Sequence, residues 1–521
     1  MDMLIGDYLG RRAVYSPDAI AFIDEGKPDG TLQLSFAQAN QRADSLACHF
    51  QDMGVQVGDR VAILAKDGVE HLDCFFACGK IGAIHTALNW RLHHAETTKI
   101  LQNTTPKIIL YSHDFYETIT AIKTQYSDAI YINLDSDEHG DLDFSSLISE
   151  QNKDNNNKKP DYHLDAKEED IVALIFTGGT TGLPKAAQIS HRMIAWNTLN
   201  TVIHDLRHED VYLNVFPLFH TGGLFVYTLP QVILGGTTVL IRQFDPTQIL
   251  EWMQKWKVTV FAGVPTMYQM LCDAPNWMDS DLSSLRFCTS GGAPLPIPLV
   301  QKYQEQKGIL FKQGFGMTEF GPGVFALPPQ KAIEKAGSIG LPNFFVQAKI
   351  VDDNNRELPQ NTAGELILRG PSFSSGYYNN QKATQEVVDA DGFFHTGDMA
   401  IRDEDGFFRI VDRKKDMFIS GGENVYPAEI EAVLHEIPEV SMCAVVGIPD
   451  AKWGEVGLAC VVCQGEPNKN ISTEDILKYL KQNLAKYKVP KDVVFLKELP
   501  LSGAGKILKR ELRQRRIDGL I

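Results

Sequence analysis

Apolar and polar positions along this 521-residue chain switch repeatedly between a helical and a strand period. Residues 36–46, Phe-Ala-Gln-Ala-Asn-Gln-Arg-Ala-Asp-Ser-Leu, space their apolar positions three and four apart and predict an amphipathic helix. Residues 60–64, Arg-Val-Ala-Ile-Leu, follow the turn Gly58-Asp59 and predict a buried strand, and residues 68–79 predict a second helix. The alternation returns at 211–241 and 258–290, so parallel strands with crossover helices are expected. Residues 347–351 and 364–368 instead alternate as antiparallel strands do. Beyond 411 the order changes to helix 428–435, strands 440–446 and 458–464, and helix 473–485. The expected class is α/β: a large multi-sheet N-terminal domain, residues 1–411, and a small C-terminal α+β domain, residues 412–521.

Two stretches depart from this rhythm. Residues 151–160, Gln-Asn-Lys-Asp-Asn-Asn-Asn-Lys-Lys-Pro, are too polar to bury and predict a solvated loop. Residues 221–241 carry no charge, but Pro230 and Gly235-Gly236 interrupt them, so a buried helix and strand are expected rather than a membrane span.

The composition, 44% hydrophobic and 22% charged, is that of a soluble globular protein. A net charge of −16 argues against a nucleic-acid binder, which needs a basic face. From Arg413 onward there are 17 Lys and Arg against 15 Asp and Glu, so this end is net positive while the rest carries the acidity. Such a distribution suits a segment that meets phosphates. The eight cysteines form no disulfide framework. Cys460 and Cys463 fall on opposite faces of an expected strand, and Cys74 and Cys78 read as core thiols at helical spacing. The N-terminus has no signal-peptide pattern, and a cytoplasmic enzyme is expected, with peripheral membrane contact left open.

The densest chemistry lies at Thr177-Gly178-Gly179-Thr180-Thr181-Gly182-Leu183-Pro184-Lys185, directly after the apolar run 171–175. A strand breaking into glycines, threonines and a lysine suits a polyphosphate, because the backbone approaches closely and donors surround it. It is not a Walker A loop, since Pro184 separates Gly182 from Lys185. The plain alternative is a Gly/Thr turn.

Further segments follow in order: Gly291-Gly292-Ala293-Pro294, Gln313-Gly314-Phe315-Gly316-Met317-Thr318-Glu319, His395-Thr396-Gly397-Asp398, Asp412-Arg413-Lys414-Lys415-Asp416, Gly421-Gly422 and Gly503-Ala504-Gly505-Lys506. Together with the loop they resemble the acyl-adenylate-forming (AMP-binding) superfamily, which includes acyl-CoA synthetases, peptide-synthetase adenylation domains and luciferases. The resemblance spans nearly the whole chain and is nearest to the fatty-acid and aryl-acid CoA ligases. It departs at Gly178, where many relatives have serine, and at Ala186, where many have glycine.

The resemblance implies ATP, Mg²⁺ and CoA as cofactor and co-substrates, and a mobile small domain. It makes Lys506 the electrostatic catalyst of adenylation, Glu319 the Mg²⁺ ligand and Thr318 a contact to the α-phosphate. Thr177, Gly178, Gly179, Thr180, Thr181, Gly182 and Lys185 would hold the phosphates. Gly291, Gly292, Ala293, Pro294, Phe315, Gly316 and Met317 would surround the adenine, and Asp398 and Arg413 the ribose. The acyl pocket would be lined by His220, Gly222, Gly223, Gly314 and Met317, with His220 positioning the carboxylate. Lys415 would be the hinge, and Gly421, Gly422 and Trp453 would meet CoA.

No charged residue in the pocket segments demands a polar substrate tail. The expected enzyme is thus an acyl-CoA synthetase acting on an apolar acid, a medium- or long-chain fatty acid first and an aryl or cyclic acid next. An enzyme loading a carrier protein, and a non-catalytic binding paralogue, are the rival readings.

Overall fold

The computed structural model describes residues 6–27, 30–135, 141–148, 159–177, 184–293, 295–420, 423–463, 471–501 and 507–521. The expected loop at 151–158, Gly178 to Gly182, Pro294, Gly421, Gly422 and Lys506 lie outside them. The chain packs into two compact units, residues 1–347 with 369–388, and residues 348–368 with 389–521. The expected boundary at 411 falls inside the second unit, within the strand Phe408–Arg413.

The first unit carries two large sheets. In the seven-stranded sheet, Arg60–Leu64 lies between Ile84–Ala87 and Ile108–Tyr111, and all three run parallel. Ile171–Thr177 joins beside Ile84–Ala87 in parallel and then pairs antiparallel with Lys185–Ser190. In the nine-stranded sheet, Thr237–Leu240, Val211–Asn214, Val260–Gly263, Phe287–Ser290 and Phe311–Gly316 are parallel neighbours in that order. Their C-terminal ends therefore share one edge, where open α/β sheets place their ligands. The uncharged 221–241 stretch is the helices Thr221–Phe225 and Thr228–Leu234 followed by Thr237–Leu240. No described helix is long and apolar enough to cross a membrane.

The helix Val69–Ile81 is buried along its whole length. It shares one core with Phe22 and Leu240 of the nine-stranded sheet and Val61, Ile63 and Ile108 of the seven-stranded sheet. Its charged residues are buried with partners. Lys80 meets Asp7 at 2.6 Å and Asp44 at 2.8 Å, Asp73 pairs with Arg42, and Glu70 pairs with Lys27. Desolvated charges persist only when paired in this way.

In the second unit, Gln347–Val351, Gly364–Arg369, Phe394–Arg402 and Phe408–Arg413 form a four-stranded sheet. The C-terminal sheet centres on the long antiparallel pair Val440–Asp450 and Gly454–Cys463, flanked by the helices Pro427–Leu434 and Thr473–Asn483. Cys460 and Cys463 contribute to different hydrophobic clusters, as residues three apart on a strand must. All eight cysteines are free thiols.

Candidate active site

Lys185 opens its strand as the cross-strand partner of Thr177, whose hydroxyl donates to the Lys185 carbonyl at 3.4 Å. The register fixes both residues at the mouth of the predicted phosphate loop. Beside them runs the segment 376–378: the Gln188 amide donates to the Gly376 carbonyl at 3.0 Å, and that of Tyr378 to Ala186 at 2.8 Å. This places the Tyr377 ring 4.9 Å from the Lys185 ammonium. The Tyr377 hydroxyl donates to Glu319 Oε1 at 2.6 Å, and the Ser374 amide to the Glu319 carbonyl at 2.8 Å. Burial first, then the Glu319 charge, pushes the Tyr377 phenol up, so it stays a proton donor. Lys185, Tyr377 and Glu319 thus form one polar cluster. Tyr377 was not among the sequence candidates, because no motif marks it.

Glu319 fits a magnesium ligand. Its carboxylate is held at one oxygen by a neutral donor, and an ionised carboxylate has several acceptor positions, so capacity for a hard cation remains. It sits in the short turn Thr318–Phe320, with Thr318 buried at its start. Gly316 has a structural reason: a Cβ there would lie 2.2 Å from the Pro322 carbonyl oxygen. Gly314 is different, since the nearest atoms to a built Cβ are 3.9 Å away, Thr289 Cγ2 and the Phe325 carbonyl oxygen. Its side-chain face is open, while Phe315 on the opposite face of the strand packs edge-on against Phe325 at 5.9 Å. Thr289 beside it hydrogen-bonds the Tyr227 hydroxyl at 2.7 Å, a polar pair that sequence reading also missed.

Gly291, Gly292 and Ala293 follow directly from the strand Phe287–Ser290 at the same edge. Gly292 has φ +80°, a conformation that favours glycine. His220 is exposed at the start of the helix Thr221–Phe225, and its Nδ1 accepts from the Gly222 amide at 3.2 Å. A neutral His220 ring then carries its proton on Nε2, a donor suited to a carboxylate. A Cβ on Gly222 meets only ordinary contacts, the closest at 3.4 Å. Gly223 is set by packing: a Cβ there would lie 2.3 Å from the Pro217 carbonyl oxygen, so close approach to the backbone accounts for the glycine. Behind this segment the Leu218 amide donates to Asp67 Oδ1 at 2.7 Å, and Arg91 lies 5.5 Å from the Phe219 ring. Burial pushes the Asp67 carboxyl up to about 7.

The second unit holds the remaining candidates. Asp398 and Arg413 are cross-strand partners, and Arg413 Nε meets Asp398 Oδ1 at 2.7 Å. The Asp398 amide donates to Thr396 Oγ1 at 3.0 Å. Arg413 is half-exposed while Asp398 is buried, so the guanidinium can reach a second anion without leaving its partner. Lys415 is exposed, next to Lys414, which pairs with Asp353 and Glu365. Asp412 accepts from the Ala428 amide at 2.8 Å and thereby anchors the helix Pro427–Leu434. Trp453 is 48% exposed on the turn between the two long strands, which rules out a purely core role.

Residues 9–378 match the family described as AMP-binding enzyme, and residues 429–506 match the AMP-binding enzyme C-terminal domain. The chain is 39% identical over 512 residues to a feruloyl-CoA synthase of Amycolatopsis sp, covering 98% of this chain and 99% of that protein. It is 32% identical to a long-chain-fatty-acid–CoA ligase of Mycobacterium tuberculosis, covering 98% of each. Among solved structures it resembles o-succinylbenzoate CoA synthetase from Bacillus subtilis in complex with its acyl-adenylate intermediate. There the TM-score is 0.85 and the identity 29%, over 97% of this chain and 98% of that one.

Proposed function

Because the chain belongs to the AMP-binding enzyme family and is an AMP-forming acid–thiol ligase using ATP, Mg²⁺ and CoA, we infer that its acid is a planar aryl acid. The open face of Gly314 carries this reading. A flat ring needs a slot without a Cβ, and the nearest atoms to one built on Gly314 are 3.9 Å away. The Thr289–Tyr227 pair offers hydroxyls where a ring substituent would need a partner. The names of two of the three relatives above point the same way. A fatty acid is the second reading, favoured by the likeness to the mycobacterial ligase.

The acid's carboxylate attacks the α-phosphorus of ATP and pyrophosphate leaves; the CoA thiol then attacks the acyl adenylate and AMP leaves. Both anions must be held in line and their charge offset before the first step. In this reading Lys185 and the loop it follows bind the phosphates. Glu319, held by Tyr377, takes the Mg²⁺, which when bound offsets phosphate charge. His220 Nε2–H orients the carboxylate, and Asp398 with Arg413 takes the ribose hydroxyls. Lys506 supplies positive charge during adenylation and Lys415 is the pivot of the small domain, whose turn would bring Trp453 towards CoA.

Pyrophosphate release with ferulate, indole-3-acetate, octanoate and palmitate, each with and without CoA, tests this. We expect aryl acids to exceed alkyl acids in kcat/KM by about tenfold or more, a difference of ~1.4 kcal/mol in transition-state binding. Preference for palmitate would establish the fatty-acid reading instead. Activation of any acid without acceleration by CoA would point to a carrier protein as acceptor.

A further inference from the structure

We propose that Cys74, Cys78 and His85 form a buried three-donor binding site for Zn²⁺. The ligand atoms of Cys74, Cys78 and His85 all lie within 4.8 Å of one another, and the three residues are fully buried. Cys74 and Cys78 are one turn apart on the helix Val69–Ile81, and His85 comes from the next strand, Ile84–Ala87. In a tetrahedral zinc site, metal bonds of about 2.0–2.3 Å hold the donors roughly 3.5–4 Å apart. Closing this set onto an ion therefore takes movements of about an ångström.

The second observation is the state of the imidazoles. Neither ring nitrogen of His85 has a hydrogen-bond partner, although the residue is completely buried. Leaving such a group unsatisfied is destabilising, and a metal bond removes part of that cost. His71 stands beside the site without joining it. Its Nε2 bonds the Ala65 carbonyl at 3.1 Å, which fixes the tautomer, and its Nδ1 is buried without a partner. His71 is seven residues from Cys78 on the same helix, about 10 Å along its axis and too far to share an ion with it, and its ring lies 6.4 Å from that of His85.

Charge selects the ion. Two thiolates and one neutral imidazole around Zn²⁺ sum to zero, so the site needs no counter-ion in an apolar core. The acids of the same helix are committed elsewhere, Asp73 to Arg42 and Glu70 to Lys27. Sulfur and nitrogen donors disfavour Mg²⁺ and Ca²⁺. Binding releases the two thiol protons, and because the site is closed the ion must enter as the chain folds. The Phe75 ring stands 5.6 Å from His85 and 6.0 Å from Phe225, so the site braces the helix that follows His220.

The test is elemental analysis of full-length enzyme purified without an affinity tag, together with X-ray absorption at the zinc edge. We expect one zinc per chain that survives dialysis, with two sulfurs and one imidazole nitrogen in its shell. Growth in cobalt should give the intense visible bands of tetrahedral, thiolate-bound Co²⁺. Cys74→Ser with Cys78→Ser should abolish stoichiometric metal, and His85→Gln should weaken retention tenfold or more against a chelator, as read on the soluble folded fraction. Metal below one tenth of an equivalent in wild-type enzyme, with no cobalt spectrum, would overturn the proposal. So would equal metal content in the double serine variant, or copper in place of zinc. These outcomes are independent of which acid the enzyme activates.

Discussion

Glu319 and Asp398 are both carboxylates assigned to the nucleotide, yet their surroundings differ in kind. Glu319 is held by the neutral phenol of Tyr377, 58 positions away along the chain, next to the Lys185 ring contact. Asp398 is held by the cationic Arg413, its direct partner across two adjacent strands. A neutral donor orients a carboxylate and leaves its full charge for a cation, as magnesium binding requires. A guanidinium offsets the charge, so in the proposed ribose role Asp398 would accept from uncharged hydroxyls while adding little net charge. The carboxylate of the first unit is prepared for charge and that of the second for hydrogen bonding.

The largest effect should come from Lys506→Ala, which would slow adenylation about 100-fold or more, the scale of losing one preorganised electrostatic group. Thioester formation from supplied acyl adenylate should be spared; equal damage to both steps would remove Lys506 from the adenylation role. Glu319→Gln keeps shape and removes charge. If the first half of the contrast holds, adenylation falls on the order of 100-fold and the Mg²⁺ dependence weakens. An unchanged Mg²⁺ titration would end the assignment.

Asp398→Asn should act mainly on ATP binding, raising its KM about tenfold, the value of one or two lost charge-assisted hydrogen bonds. A pure kcat loss would contradict a ribose role. Tyr377→Phe tests whether the neutral tether matters. It removes one hydrogen bond of about 0.5–1.5 kcal/mol, so we expect a few-fold to tenfold rise in the Mg²⁺ concentration at half-maximal rate, with the KM for the acid unchanged.

The smallest effect concerns stability and pH. The folded Asp67 carboxyl titrates at about 7 against an unfolded value of 3.8, so the fold favours its protonated form. Between about pH 4 and 7 the unfolded chain loses this proton first, so stability falls as pH rises through that window and levels above it. Asp67→Asn retains an acceptor for the Leu218 amide and should raise Tm at pH 8 but not at pH 4. Parallel Tm–pH curves for the two proteins would show that Asp67 is ionised in the fold.

Much of this was legible in the sequence, because the forces that set it are local. The strand Arg60–Leu64 and the helix that follows it appear where the apolar period places them. Thr177 and Lys185, named from the loop, and Asp398 and Arg413, named from motif resemblance, stand as cross-strand partners because local strand register sets both pairs. Tertiary structure decided what depends on distant partners. Glu70, Asp73 and Lys80 look like a solvated helix face in one dimension and are buried in ion pairs. Gly223 and Gly314 are the same residue type in two pocket segments, but one is pressed against backbone and the other is open. Tyr377 joins Glu319 to the phosphate-loop strand only because residues 376–378 return to pair beside it. His85 meets Cys74 and Cys78 because the chain turns back at Gly82 and Ala83 onto its own helix. Periodicity and motif spacing carry information along the chain; contacts between far segments depend on how the two sheets close around that helix, and packing alone sets them.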